Sequence, residues 1–188
     1  LSEEKLTNAL LALPKGKAVP GDGVSHEVTS TLANLPMTIK PTMPGIPKRI
    51  DAQAKKHGGW YTMHFDGSKT PESTGYGYVI NSVDDGRELD SVHGRLREED
   101  GINVCEYHGP VFGIMRARTL GVKRLQIYGD SALICGQMLG EMRCLGSQTA
   151  QLRKDAWRLC AEFLEVEIGW IPRARNKIAD ALANLGRE

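Results

Sequence analysis

The sequence predicts a mixed α/β domain, a three-stranded antiparallel meander followed by alternating helices and strands, behind an irregular N-terminal extension. Three observations lead there. Composition changes sharply near residue 58: the preceding segment has no Phe, Tyr or Trp and holds six of the nine prolines. Between residues 60 and 96, short apolar or alternating runs are bounded by turn residues, the signature of strands in series. Beyond residue 100, helical periodicity alternates with buried-type strands, an order that gives a mixed sheet with helices on its faces.

Residues 1–57 can bury little apolar area to offset their ordering entropy. Glu3–Leu13 reads as a short helix and Pro36–Pro47 as extended, polyproline-like chain; two readings stay open for this Pro-rich tail, that a protein or RNA partner holds it and that it wraps its own domain. The domain, residues 58–188, opens with strands at Trp60–Phe65, Gly75–Ile80 and Leu89–Leu96, joined by Thr70-Pro71-Glu72-Ser73 and Asp84-Asp85-Gly86. A helix over Asn103–Leu120 follows, stopped by Gly121, with Gly109, Gly113 and Ala117 recurring every four residues so that it can approach a sheet closely. Arg124–Tyr128 is a buried-type strand and Ser131–Leu139 a helix. Leu152–Leu164 is a second helix, its Leu152, Ala156, Leu159 and Phe163 at helical spacing. Glu165–Ile171 is the last strand and Asn176–Leu185 the last helix, giving the order βββαβααβα.

Charge is nearly balanced at +1 and names no partner by itself. It is uneven, however: the tail carries eight Lys/Arg against five Asp/Glu, net +3, and the domain 16 against 18, net −2. A slightly acidic domain binds polyanions weakly on its own, and Arg116, Arg118, Lys123 and Arg124 read as compensation of a helix dipole before a phosphate track. Cys105, Cys135, Cys144 and Cys160 show no C-x-x-C spacing and sit in periodic segments, as reduced core thiols do; an intracellular, reducing compartment is expected, with nucleus, cytoplasm and organelle equally open. No apolar run approaches the ~18 residues of a membrane span, so no membrane partner is expected. Leu1 in place of Met fits a processed product or a fragment.

Four acids fall where this layout puts strand ends and helix turns: Asp66 in HFDGS, Glu106 in NVCEYHG, Asp130 in IYGDS and Asp180 in RNKIADALANL. Carboxylates so far apart in sequence meet only through the fold, and meeting is electrostatically costly unless divalent cations neutralise them. Each has a bland reading. Asp66-Gly67 and Asp130-Ser131 suit strand-end turns, Glu106 suits a helix first turn, and Asp180 suits a solvated helix face. Their joint order favours a metal site.

These motifs carry a resemblance. Asp in a first-strand D-G-S, Glu in an N-x-x-E-Y helix start, Asp in a later-strand D-S and a final N-x-x-A-D-x-L-A helix together resemble the ribonuclease H family, in its short plant, archaeal and retroelement form, over about residues 60–188. The resemblance implies a ribonuclease H-like five-stranded mixed sheet with helices on both faces. It also implies a Mg²⁺-dependent endonuclease that cuts the RNA strand of RNA·DNA hybrids, with Mn²⁺ as substitute, and a retroelement origin is among the expectations. Such hydrolysis uses two ions about 3.5–4 Å apart. Asp66 would be their shared ligand, Glu106 and Asp130 would complete the first shell, and Asp180 would hold the second ion. Asn103 matches a family Asn that touches nucleic acid near the minor groove, where the 2′-OH tells RNA from DNA; it is equally a good helix N-cap. Gly67 and Ser68 are expected near the scissile strand. Many family members carry a His before the last helix, where this chain offers Arg173 and Arg175, groups that bind phosphate but stay protonated. Pro110 removes the amide that would bond to the carbonyl of Glu106 and is expected to kink the helix and displace that acid. A second function class stays open: a catalytically weakened structural subunit of a large ribonucleoprotein assembly, binding structured RNA and anchored by the tail.

Overall fold

The computed structural model of the chain describes residues 45–51, 58–97 and 101–188. Contacts divide the chain at Pro41, and every described residue belongs to the unit Thr42–Glu188. The expected Glu3–Leu13 helix and most of the tail lie outside the described residues.

The strands are β1 (Lys48–Arg49), β2 (Trp60–Lys69), β3 (Thr74–Ser82), β4 (Glu88–Arg95), β5 (Arg124–Gly129) and β6 (Glu165–Trp170), and the helices α1 (Ile102–Thr119), α2 (Ala132–Met138), α3 (Ser147–Cys160) and α4 (Lys177–Leu185). They form one sheet in the order β1-β6-β5-β2-β3-β4. The meander β2, β3, β4 is antiparallel, and β5, β6 and β1 add in parallel beyond β2. The α/β class, the element order and helices on both faces are as the sequence predicts. Alternation along β2 explains the layering: Met63 and Phe65 face α1 and the core, while Asp66 shares the opposite face with its β3 partner Gly77. The glycines of α1 act as predicted. A Cβ on Gly113 would lie 2.3 Å from Met63 Sδ, and one on Gly109 3.1 Å from the Asp66 carbonyl, so the helix sits nearly on the sheet backbone. On the other face α4 lies as close, Gly77 leaving room for Leu182 and Ala183.

The structure differs from the sequence reading in three places. The strand expected over Trp60–Phe65 runs on to Lys69 and takes in Asp66, Gly67 and Ser68. The helix expected at Leu152–Leu164 begins at Ser147 and ends at Cys160; its first turn, Ser-Gln-Thr-Ala, lacks the apolar repeat that would have revealed it, and Phe163 reaches the core from a turn. The sheet also has a sixth strand. Lys48 and Arg49, read as tail, pair in parallel with Glu167 and Ile168, and Ile50 N–H donates to the Ile168 carbonyl at 3.1 Å. The approach is fixed at Gly45, whose φ of +94° suits only glycine and whose Cβ would fall 1.8 Å from the Trp157 carbonyl. Two strand residues without aromatics in a proline-rich segment give no periodic signal.

Pro110 does not displace Glu106. The proline is buried within α1, which runs continuously from Ile102 to Thr119, so packing against the sheet outweighs the missing amide.

Candidate active site

The site forms where β2 outruns its parallel neighbour. Pairing of β2 with β5 ends at His64 and Tyr128, whereas pairing with β3 continues through Asp66. Asp66 is thereby carried past the tip of β5, beside Asp130, the first residue after that strand. Its side chain is 7% exposed and its Oδ1 accepts the Gly67 N–H at 2.9 Å. Burial first, then the charges of Asp130 and Asp180, push its pKa up to about 7, against the lowering effect of Gly67 N–H and Arg173. Glu106, one turn into α1, is pushed the same way by burial and by Asp130; the Ser131 hydroxyl and Arg173 oppose it. Asp180, in the first turn of α4, receives Arg173 on Oδ1 and the Asn184 amide on Oδ2 at 3.4 Å. The four predicted acids are thus linked electrostatically, Asp66 to Asp130 and Asp180, and Glu106 to Asp130.

Gly67 explains how α1 reaches this point. A Cβ there would stand 2.5 Å from the Glu106 amide nitrogen, so the strand and the helix meet backbone to backbone. Gly67→Ala is expected to push α1 off β2, lowering the melting temperature by roughly 5 °C or more, since a backbone clash costs at least about 1–3 kcal/mol; thermal unfolding followed by circular dichroism checks it.

Among the described residues, no three His, Cys, Asp or Glu side chains close around one point as a ready metal cage. The donor set nevertheless fits a hard divalent cation. It consists of carboxylate oxygens whose charge is poorly compensated, and Mg²⁺ takes a few such ligands while keeping waters and substrate phosphates. Arg173, whose guanidinium is stabilised by Asp180, Asp66 and Asp130, is the nearby protein cation that offsets part of this charge.

The profile of the reverse transcriptase-like family matches residues 64–186. The chain is 30% identical over 145 residues to Ribonuclease HI of Halobacterium salinarum, covering 74% of this chain and 71% of that protein. The chain belongs to the ribonuclease H family. It is also 32% identical over 114 residues to Bifunctional protein Rv2228c of Mycobacterium tuberculosis, spanning 31% of that protein's length. The solved ribonuclease H domain of that protein superposes with a TM-score of 0.65 at 29% identity, over 69% of this chain and 94% of that one. LC11-RNase H1, solved in complex with an RNA/DNA hybrid, shares the fold at a TM-score of 0.62 and 22% identity, over 68% and 96% of the two chains.

The ribonuclease H fold places the remaining predicted residues less simply. Asn103 is exposed on the first turn of α1, in a cleft it lines with Ile102, Leu133 and Leu145, and is not the cap: Gly101 is, without any side-chain bond. Ser68 donates its hydroxyl to Asn184 Oδ1 at 2.7 Å and so reaches Asp180 only through Asn184, whereas the Gly67 amide is turned directly onto Asp66. Arg175 is exposed in the same turn as Arg173, residues Arg173–Arg175, but is not among the groups that shift the acids. Trp170, at the end of β6, is 52% exposed and donates its indole N–H to the Asp130 carbonyl at 2.9 Å. Arg116, Arg118 and Arg124 pair with Asp90, Glu162 and Glu165, as solvated compensation predicts. Sequence reasoning missed Ser131, Asn176 and Asn184. Ser131 and Asn176 lie inside the motifs that carried the resemblance and Asn184 directly after the last of them, one residue after Asp130 or four either side of Asp180, the spacing of one helical turn.

Proposed function

We propose that the protein is a divalent-metal-dependent endonuclease that hydrolyses the RNA strand of RNA·DNA hybrids, using two Mg²⁺ ions, with Mn²⁺ as substitute. The observation that carries this reading is the buried Asp66, pushed up to about 7 by its burial and by Asp130 and Asp180, with Glu106 facing Asp130 from the helix opposite. A fold gains nothing from collecting acids in this way unless cations join them. The family relationship supports the same reading.

Asp66 and Asp180 would hold one ion and Asp66, Glu106 and Asp130 the other. Bound there, the ions supply an activated water and stabilise the leaving oxygen. The chain's own residues prepare for this. The Gly67 amide and the Ser131 hydroxyl orient Asp66 and Glu106, and the Ser68–Asn184 pair holds Asp180 against α4. Arg173, fully charged at any working pH, exchanges Asp180 for a phosphate oxygen of the substrate once cations occupy the acids. Asn103, exposed on the first turn of α1, would read the minor groove and its 2′-hydroxyls, and attack by water on the phosphate with the 3′ oxygen as leaving group would give product ends of 3′-OH and 5′-phosphate. No observation favours the structural-subunit alternative.

The test uses the whole chain and four substrates of one sequence: RNA·DNA hybrid, double-stranded RNA, double-stranded DNA and single-stranded RNA, each end-labelled. Cutting confined to the RNA of the hybrid, absent in EDTA and lost in Asp130→Asn, is expected. Equal cutting of double-stranded DNA would overturn the substrate, and cutting unaffected by EDTA would overturn the mechanism.

A further inference from the structure

We infer that Asn176 is a positioning residue that sets Asp66 and Asp130 against each other and against the start of α4; this rests on the reading of the four acids as a cation site. Asn176 is 1% exposed and immediately precedes α4, where its carbonyl accepts the Asp180 N–H at 3.0 Å. Its Nδ2 donates twice, to the Phe65 carbonyl at 2.9 Å and to Asp130 Oδ1 at 3.3 Å. Phe65 is the residue before Asp66. One side chain therefore ties together β2, the tip of β5 and the beginning of α4, the elements that bear Asp66, Asp130 and Asp180.

The amide has only one usable orientation. Both of its partners are acceptors, and a flipped amide would set Oδ1 against a carbonyl and a carboxylate. In the orientation it holds, Oδ1 is buried with no protein donor among the described residues. A purely structural Asn at this place would spend that oxygen on capping the helix, yet α4 receives no side-chain cap. Buried polar atoms without partners are uncommon and call for a reason; here the donor end serves the site while the acceptor end is sacrificed. The choice of a neutral donor is also informative. Lys or Arg would compete with a cation for Asp130, whereas an amide fixes the carboxylate's direction and leaves its charge available. Second-sphere donors to ligating carboxylates act in this way in metal sites.

The experiment compares the whole chain with Asn176→Ala, Asn176→Ser and Ile168→Val, the last a fully buried core residue remote from any proposed ligand role. Three quantities are read: melting temperature in EDTA, the Kd for Mn²⁺ by calorimetry, and the Mg²⁺ concentration giving half-maximal hybrid cleavage. Asn176→Ala is expected to raise the Kd and the half-saturating concentration by about tenfold or more, while Ile168→Val lowers the melting temperature and leaves both unchanged. Asn176→Ser supplies a hydroxyl suited to the cap position but cannot span both partners, and is expected to fold with metal binding weakened; it decides the matter if Asn176→Ala does not fold. Wild-type metal affinity in either Asn176 variant overturns the inference and leaves the nuclease reading standing. A wild-type chain that binds no Mn²⁺ and cuts no hybrid overturns the nuclease reading, and the inference with it.

Discussion

Asp66→Asn is expected to make the metal-free protein more stable while abolishing cleavage. The carboxyl ordinarily titrates at 3.8 and is pushed up to about 7 in the fold. Between those values the folded chain keeps the proton that the unfolded chain has released, so unfolding liberates protons and stability falls as pH rises from about 4 to 7. Above 7 the loss is complete, on the order of 4 kcal/mol. Glu106 adds to the loss in the same direction. Asparagine keeps the acceptor for the Gly67 N–H and removes the charge. Melting in EDTA at pH 8 should therefore rise by roughly 5 °C or more for the variant, and its stability should depend less on pH across the same window. Saturating Mg²⁺ should stabilise the wild type far more than the variant. A variant that melts below the wild type in EDTA would mean that the burden on Asp66 is not borne in the folded state.

The second large effect concerns where the domain begins. Residues 45–50 form the outer edge of the sheet: Gly45 fits beneath the Trp157 carbonyl, Pro47 is buried, Arg49 pairs with Glu141, and Ile50 packs on Gly169. Removing residues 1–57 strips this edge, exposes β6 to pairing with other chains, and forfeits roughly 3 kcal/mol of apolar burial from two isoleucines and a proline. Removing only residues 1–41 leaves it intact. The shorter deletion is expected to melt within about 2 °C of the whole chain, and the longer one roughly 5–10 °C lower with a tendency to aggregate. Equal melting temperatures for the two truncations would show that β1 contributes nothing.

That contrast shows what could be read in the sequence. The meander, the β5 and β6 strands and the last helix were legible because each repeats an apolar period long enough to exceed chance, and the four acids because they sit at fixed places in motifs that occur in order. β1 was not legible: a two-residue parallel strand is specified by its partner β6 and by one glycine, neither of which leaves a local pattern. The effect of Pro110 was misjudged for a related reason. A proline's cost within a helix is local, but α1 is held by close backbone contact with β2, and that contact lies beyond any local reading. Trp170 stands at an apolar strand end and reads as core, yet the strand ends where its neighbours stop covering it. Ser131, Asn176 and Asn184 escaped because their role is to orient other side chains, and such a role becomes visible only when hydrogen-bond partners distant in sequence are known.

The central claim is that Asp66, Glu106, Asp130 and Asp180 form a cation site that hydrolyses RNA paired with DNA. The most direct measurement is cleavage of a hybrid labelled on its RNA strand by the whole chain, in Mg²⁺ and in EDTA, beside Asp66→Asn. The account predicts RNA fragments ending in 3′-OH, formed only with Mg²⁺ and absent in the variant. Fragments produced equally by wild type and Asp66→Asn, or an intact RNA strand in Mg²⁺ and Mn²⁺ alike, would contradict it.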